Sequence, residues 1–181
     1  MMKIKTLGLM LSVVVFTLLL YGCPPPQPPG PTPTPTPTAS FSLDVSTLQS
    51  SYQIGESVIV SVRSDQPCYV TMFNIDTAGV ITQIFPNNLA PNNYIDGQQI
   101  YHIPSQSDRF RLRVAGPAGT EQIRVIATLQ NVGIVAPREF TSADFPVFKG
   151  SLEEFERILE QQLAQLPVSD WTQTSITFQV Q

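Results

Sequence analysis

Residues 68–85 read CYVTMFNIDTAGVITQIF, and the fold class turns on this stretch. Cys68 to Ile75 is β-branched, aromatic and uncharged. A short run of that kind without polar alternation predicts a strand buried on both faces. Asp76-Thr77-Ala78-Gly79 is a tight polar connection ending in glycine, which is turn chemistry. Val80 to Phe85 returns as a second strand, so the stretch reads as a hairpin. Pro86 ends it, because proline has no amide to give to a ladder.

Upstream, Phe41-Ser42-Leu43-Asp44-Val45 alternates with period two and predicts a strand. Val58, Val60 and Val62 alternate with Ile59, Ser61 and Arg63 to predict another, preceded by Tyr52 and a Gly55-Glu56 turn. Ser64-Asp65-Gln66-Pro67 is turn sequence. Downstream, residues 87–98 are rich in Asn, Pro and Gly and read as a loop. Gln99 to Ile103 is a short strand stopped by Pro104. Arg109 to Val114 and Gln122 to Leu129 are two more, joined through Gly116-Pro117-Ala118-Gly119 in a pattern that predicts a second hairpin. Short strands at this spacing, with no helix between them, predict a mainly β fold: an antiparallel β-sandwich, immunoglobulin-like in general architecture.

The period changes near the C-terminus. Ser151-Leu152-Glu153-Glu154 is a capping box, in which the Ser hydroxyl takes the amide of Glu154 and that carboxylate reaches back. Leu152, Phe155, Leu159, Leu163 and Leu166 then share one helical face. Pro167 stops the helix. Ile176, Phe178 and Val180 alternate in a final strand. The sandwich is thus expected over 39–148, with a C-terminal amphipathic helix and strand over 149–181 packing on the same domain.

The N-terminus is of a different kind. Lys3 and Lys5 precede an apolar run from Leu7 to Leu20. A bilayer-spanning helix needs roughly 17–25 such residues, so this shorter run suits a secretory signal peptide over 1–22. Leu20-Tyr21-Gly22-Cys23 resembles the bacterial lipobox, although Tyr21 is bulkier than the usual residue there. The resemblance implies cleavage before Cys23 and acylation of its sulfur and new amino group. More than one acyl chain anchors stably. Residues 24–38, which follow that cysteine in the 23–38 anchor-and-spacer segment, read PPPQPPGPTPTPTPT, with nine prolines in fifteen positions. Proline on that scale excludes helix and sheet and favours extended polyproline II. At about 3.1 Å per residue the spacer reaches roughly 45 Å.

Without Lys3 and Lys5 the chain carries eight Lys and Arg against fourteen Asp and Glu. That acidic balance argues against nucleic acid as a partner. Cys68 is the only cysteine after Cys23, so no internal disulfide is expected.

Residues 52–127 resemble the bacterial domain-of-unknown-function family numbered four-three-eight-four. The resemblance rests on Tyr52 with Gly55-Glu56 and the valine strand, then Tyr69-Val70 with Phe73 and Ile75-Asp76. Gly79, Ile84-Phe85-Pro86-Asn87, Gly97 and Ile103-Pro104 follow, and then Phe110 to Val114 with Gly116-Pro117 and Gly119. It implies a β-rich accessory domain of the envelope or of signalling proteins, and no catalytic residues. The segment after Leu129 and Cys68 beside Tyr69 depart from the family.

Candidate chemistry is sparse. His102 is the only histidine, directly before Ile103-Pro104 and in no nucleophile-elbow context. Cys68, His102 and Met72 are too few soft ligands for a zinc or copper site. Asp76, Asp96 and the Asn-rich loop supply oxygens for calcium, but without a calcium-loop motif. No metal or cofactor is therefore expected. Arg109, Arg111 and Arg113 alternate with Phe110, Leu112 and Val114, which puts three guanidinium groups on one face, with Arg124 expected opposite across the hairpin. Such a row can grip an anionic polymer or an acidic protein face. It can also be only the solvated face of a strand.

The sequence thus predicts an exported, lipid-anchored envelope protein, at the outer membrane or cell surface. Its expected role is a non-enzymatic binding or structural module, held to the membrane by acylated Cys23. The partner expected is another envelope protein or an anionic envelope polymer. The alternative is a hydrolase acting on envelope polymers with a site around His102.

Overall fold

A computed structural model describes residues 41–181. The signal peptide expected over 1–22, the lipidation expected at Cys23 and the spacer expected to residue 38 all fall outside the described residues. The fold of the described residues is mainly β and sandwich-like, with one α-helix.

The larger sheet runs β2 (Ser51–Tyr52), β11 (Trp171–Val180), β10 (Gly119–Thr128), β5 (Cys68–Ile75) and β6 (Ile81–Phe85), with β7 (Tyr94–Ile95) also pairing with β5. The smaller sheet runs β1 (Leu43–Thr47), β4 (Val60–Ser64) and β8 (Ile100–Ile103). A ribbon of β3 (Ser57–Val58) and β9 (Leu112–Arg113) stands beside them. All pairings are antiparallel except β2 with β11.

The uncharged β5 strand has the predicted ends, and six of its eight residues are buried. Alternation divides it. Cys68, Val70 and Met72 face the smaller sheet, packing with Val60 and Val62 of β4, Ile103 of β8 and Ile123, Val125 and Ala127 of β10. Phe73 and Ile75 face the other way, with Ile126 of β10. A bulge between Met72 and Phe73 pairs Phe85 with Met72 and Gln83 with Phe73. The extra residue turns β6 over, so Ile81 joins one core while Ile84 and Phe85 join the other.

The second core is closed by the segment after β10 and by α1 (Leu152–Leu163). Ser151 caps the helix, its hydroxyl accepting the Glu154 amide at 3.2 Å. The other half of the expected box does not form: the Glu154 carboxylate lies 3.9 Å from Arg157. Phe155, Leu159 and Leu163 are buried against the sheet, whereas Leu152 is exposed and Leu166 half-buried. Phe73, Phe140, Phe148 and Phe155 form a closed circuit, with ring centroids 6.2, 5.8, 5.4 and 4.9 Å apart around it. Most of these contacts are edge-to-face, the favoured arrangement for aromatic pairs.

Four local expectations are corrected. Arg109–Val114 and Gln122–Leu129 do not form a hairpin: β9 pairs with β3, while β10 pairs with β5 and β11. Hairpin turn residues permit a reversal but do not choose the partner, and β11 offers β10 a ten-residue register. The valine run divides at Ile59 into β3 and β4, which belong to different sheets. The loop over 87–98 contains β7, which pairs with Cys68 and Tyr69. The last strand begins at Trp171 rather than near Ile176. Its first half, Thr172 to Ser175, is polar, so hydrophobic alternation could not reveal it.

Phe155 is fully buried at the junction of Phe73 and Phe148. Phe155→Ala is expected to destabilise the domain by roughly 3–5 kcal/mol, from lost burial and the cavity left behind. Chemical denaturation of both proteins measures it. An unchanged midpoint would place the helical stripe outside the core.

Candidate functional site

Of the four arginines, three keep the predicted alternation. Arg109, Arg111 and Arg113 are exposed, while Phe110 and Val114 are buried and Leu112 half-buried. Only Leu112 and Arg113 are strand; Arg109 and Arg111 stand on the segment leading to it. That segment starts with a turn in which the Ser105 amide donates to Asp108 Oδ2 at 2.6 Å. Arg111 donates from Nη1 to the carbonyls of Asp108 and Phe110 at 2.9 and 2.7 Å. Arg113 donates to the Gly55 carbonyl at 3.2 Å. Arg109 has no hydrogen bond or ion pair among the described residues.

Arg124 is elsewhere. It sits on the helix-facing side of β10 and pairs with Glu156 of α1. The two side chains are only partly exposed, and the pair ties α1 to the sheet it covers. Its expected place beside the other three followed from the hairpin that does not form.

Arg111 and His102 meet at an open groove of about 780 Å³ on the outward face of the smaller sheet. The register sets Ser46 of β1, Ser61 of β4 and His102 of β8 side by side across that face. Exposed Leu48, Ile59 and Ile100 add apolar surface to the groove. No carboxylate is among its lining residues.

Ser61 Oγ and His102 Nδ1 are 3.0 Å apart. In a serine-hydrolase triad the other ring nitrogen, Nε2, serves the nucleophile, and Nδ1 is held by a carboxylate. Here Nδ1 is spent on the serine. The two residues are direct cross-strand neighbours, and cross-strand pairs ordinarily stabilise sheets.

The carboxylates considered for calcium belong to separate local turns. Asp76 Oδ1 accepts the amides of Ala78 and Val80, both at 2.8 Å, closing the β5–β6 connection. Asp96 Oδ2 accepts from the Tyr101 hydroxyl at 3.2 Å. Cys68 is 1% exposed in the sandwich core. Burial pushes its thiol up, against the lowering effect of a Ser64 hydrogen bond, so it stays protonated and packs as a small apolar side chain.

One titratable group escaped the sequence reading. Glu121 of β10 is 4% exposed, inside the sandwich. Asn74 Nδ2 donates to its Oε2 at 3.0 Å. It shares a cavity of about 70 Å³ with Asn74, Arg113, Leu112 and Phe178. Burial raises its carboxyl above the ordinary range, opposed by the Asn74 bond and assisted by Asp76. The available signal was parity: Glu121 shares a face with Ile123 and Val125.

Residues 51–131 match the model of a family described as Domain of unknown function (DUF4384), and the chain carries a domain resembling that family. The matched segment holds β2 to β10. It leaves out β1, α1 and β11. No curated protein matches the chain.

The Glu121 environment has a pH signature. Because its folded-state pKa is raised, the folded protein holds this proton more tightly than the unfolded chain, and stability falls as pH rises through the folded value. Glu121→Gln keeps an oxygen for Asn74 and removes the charge. The variant should melt higher than the parent at pH 7, with the gap closing below about pH 4.3, the usual glutamate value. Melting temperatures across that range measure it. A variant equally or less stable at pH 7 would contradict the assignment.

Proposed function

We propose that the protein is an exported lipoprotein of the cell envelope whose β-sandwich binds an anionic partner without transforming it. Acylated Cys23 holds it to the outer membrane or cell surface, and the proline-rich segment spaces the domain from the lipid. The partner is an anionic envelope polymer or the acidic face of another envelope protein.

One observation carries the binding reading. In a chain with excess acidic residues, Arg109 and Arg111 stand exposed without a carboxylate partner among the described residues, and Arg111 lines a groove that contains no acid. A guanidinium left this way offers planar, paired donors to a carboxylate or phosphate. The hydroxyls of Ser46, Ser61 and Ser105 lie along the same groove and suit a polar ligand. The Ser61–His102 pair is accounted for by strand register, so no step of a hydrolytic reaction is assigned to it.

Changing Arg109, Arg111 and Arg113 together to Gln should release the anionic partner from the intact protein in envelope co-purification. Folding should barely change, since exposed charges contribute at most about 1 kcal/mol per pair. Association of the parent should weaken steeply with added salt, because exposed charges are screened beyond about 8–10 Å near physiological ionic strength. Retained, salt-insensitive association by the triple variant would refute the arginine site. The anchor is checked separately: Cys23→Ser should abolish lipidation and detergent-phase partitioning, and unchanged partitioning would refute it.

A further inference from the structure

A second concavity, of about 480 Å³, lies on the opposite side of the large sheet, between residues 86–93 and the segment 131–146. No Asp, Glu, Lys, Arg or His lines it. Its polar groups are carboxamides and hydroxyls, and its apolar residues include Ile134, Val135 and Phe140.

Three carboxamides are fixed in the same manner. Asn93 Nδ2 donates to the Val70 carbonyl at 3.1 Å, Gln83 Nε2 to Pro86 at 2.8 Å and Asn88 Nδ2 to Ala143 at 2.9 Å. A backbone carbonyl can only accept, so each amide nitrogen must face the protein. Each amide oxygen is thereby left without a partner among the described residues. Asn93 is only 8% exposed and is bonded to β5 twice, since its own carbonyl accepts the Val70 amide at 2.9 Å. Thr71, also 8% exposed, adds a hydroxyl with no protein partner among the described residues. The one buried side-chain polar atom lacking a partner among the described residues is Ser51 Oγ. The oxygens of Asn93, Gln83 and Thr71 are therefore not sealed from solvent, and Asn88 is itself an exposed residue. Asn131 and Ser142, both exposed and free of protein hydrogen bonds among the described residues, stand on the far wall.

We propose that this pocket binds an uncharged saccharide bearing hydroxyl and acetamido groups. Pinned amide oxygens are preorganised acceptors, which suit sugar hydroxyls and the N–H of an acetamide. The apolar residues suit its methyl group and the C–H face of a ring. A charged ligand would find no opposite charge on the walls and would lose solvation. The volume lies within the range of about 300–1,000 Å³ usual for small-molecule sites. The arginine groove plays no part, so this site and the anionic site stand or fall separately.

The probe is the disaccharide of N-acetylglucosamine, titrated calorimetrically into the intact protein in detergent, with a disaccharide containing a uronic acid as comparison. Saturable binding of the neutral sugar is expected, at least tenfold tighter than that of the charged one. Asn131→Ala with Ser142→Ala removes only groups without protein partners among the described residues. This double variant should weaken binding tenfold or more at an unchanged melting temperature. Gly133 also lines the pocket, and a Cβ there would meet nothing within 4 Å. Gly133→Phe should therefore obstruct the sugar without disturbing the fold. The triple arginine variant should bind the sugar as the parent does. No saturable binding, equal binding of the charged sugar, or binding indifferent to both pocket variants would overturn the proposal.

Discussion

The central strand of the larger sheet, β5, has apolar side chains on both faces, and neither can be left to water; that constraint organises the molecule. Phe73, with no exposed surface, and Met72 beside it point to opposite sides of one strand, and both must be covered. The smaller sheet covers the Met72 side. The Phe73 side is closed by Phe140, Phe148 and Phe155, from three places on the chain after β10. At roughly 1.5–3 kcal/mol for each large apolar side chain buried, this second layer matches the scale of a whole domain's stability, about 5–15 kcal/mol. It is integral to the fold.

Covering one sheet twice also makes the surface features. The chain that seals the second core passes over β6, where the Gln83 amide donates to the Pro146 carbonyl and the Phe148 amide to that of Ile81. This closes a sheet edge that would otherwise offer open backbone groups. The same passage walls the uncharged pocket against the loop after Pro86. On the other side, the thin three-stranded sheet buries one face and leaves the other wet. Its outward face carries the cross-strand row of Ser46, Ser61 and His102 beside Arg111. Two chemically unlike surfaces, one cationic and one neutral, thus lie on opposite sides of a shared core.

How far the sequence disclosed this depends on how local each signal is. Cys68–Ile75, its hairpin and the Ser151 cap could be read because composition and periodicity act within a few residues. The alternation of Arg109, Arg111 and Arg113 was legible for the same reason. Pairing partners were not. Gly116 to Gly119 permits a reversal, yet β10 gains more from ten paired residues with β11 than from two-residue β9. Arg124 was misplaced by that one error, and its true partner, Glu156, is 32 positions away. Polar Thr172 to Ser175 carries no hydrophobic signature, since β11 is held there by its ladder with β10. The neutral pocket was invisible because its carboxamides come from segments that only tertiary packing brings together.

The family match ends at residue 131, whereas the two-core account requires α1 and β11. Truncation after Asn131 therefore tests the account most directly. The shortened chain keeps the entire matched segment, but exposes Phe73 and Ile126 and leaves one edge of β10 unpaired. Scanning calorimetry on both chains is the measurement. The account predicts a single cooperative transition for the full chain and none for the truncated one. A cooperative transition in the truncated chain near the parent melting temperature would show that the matched segment folds alone, and would contradict the account.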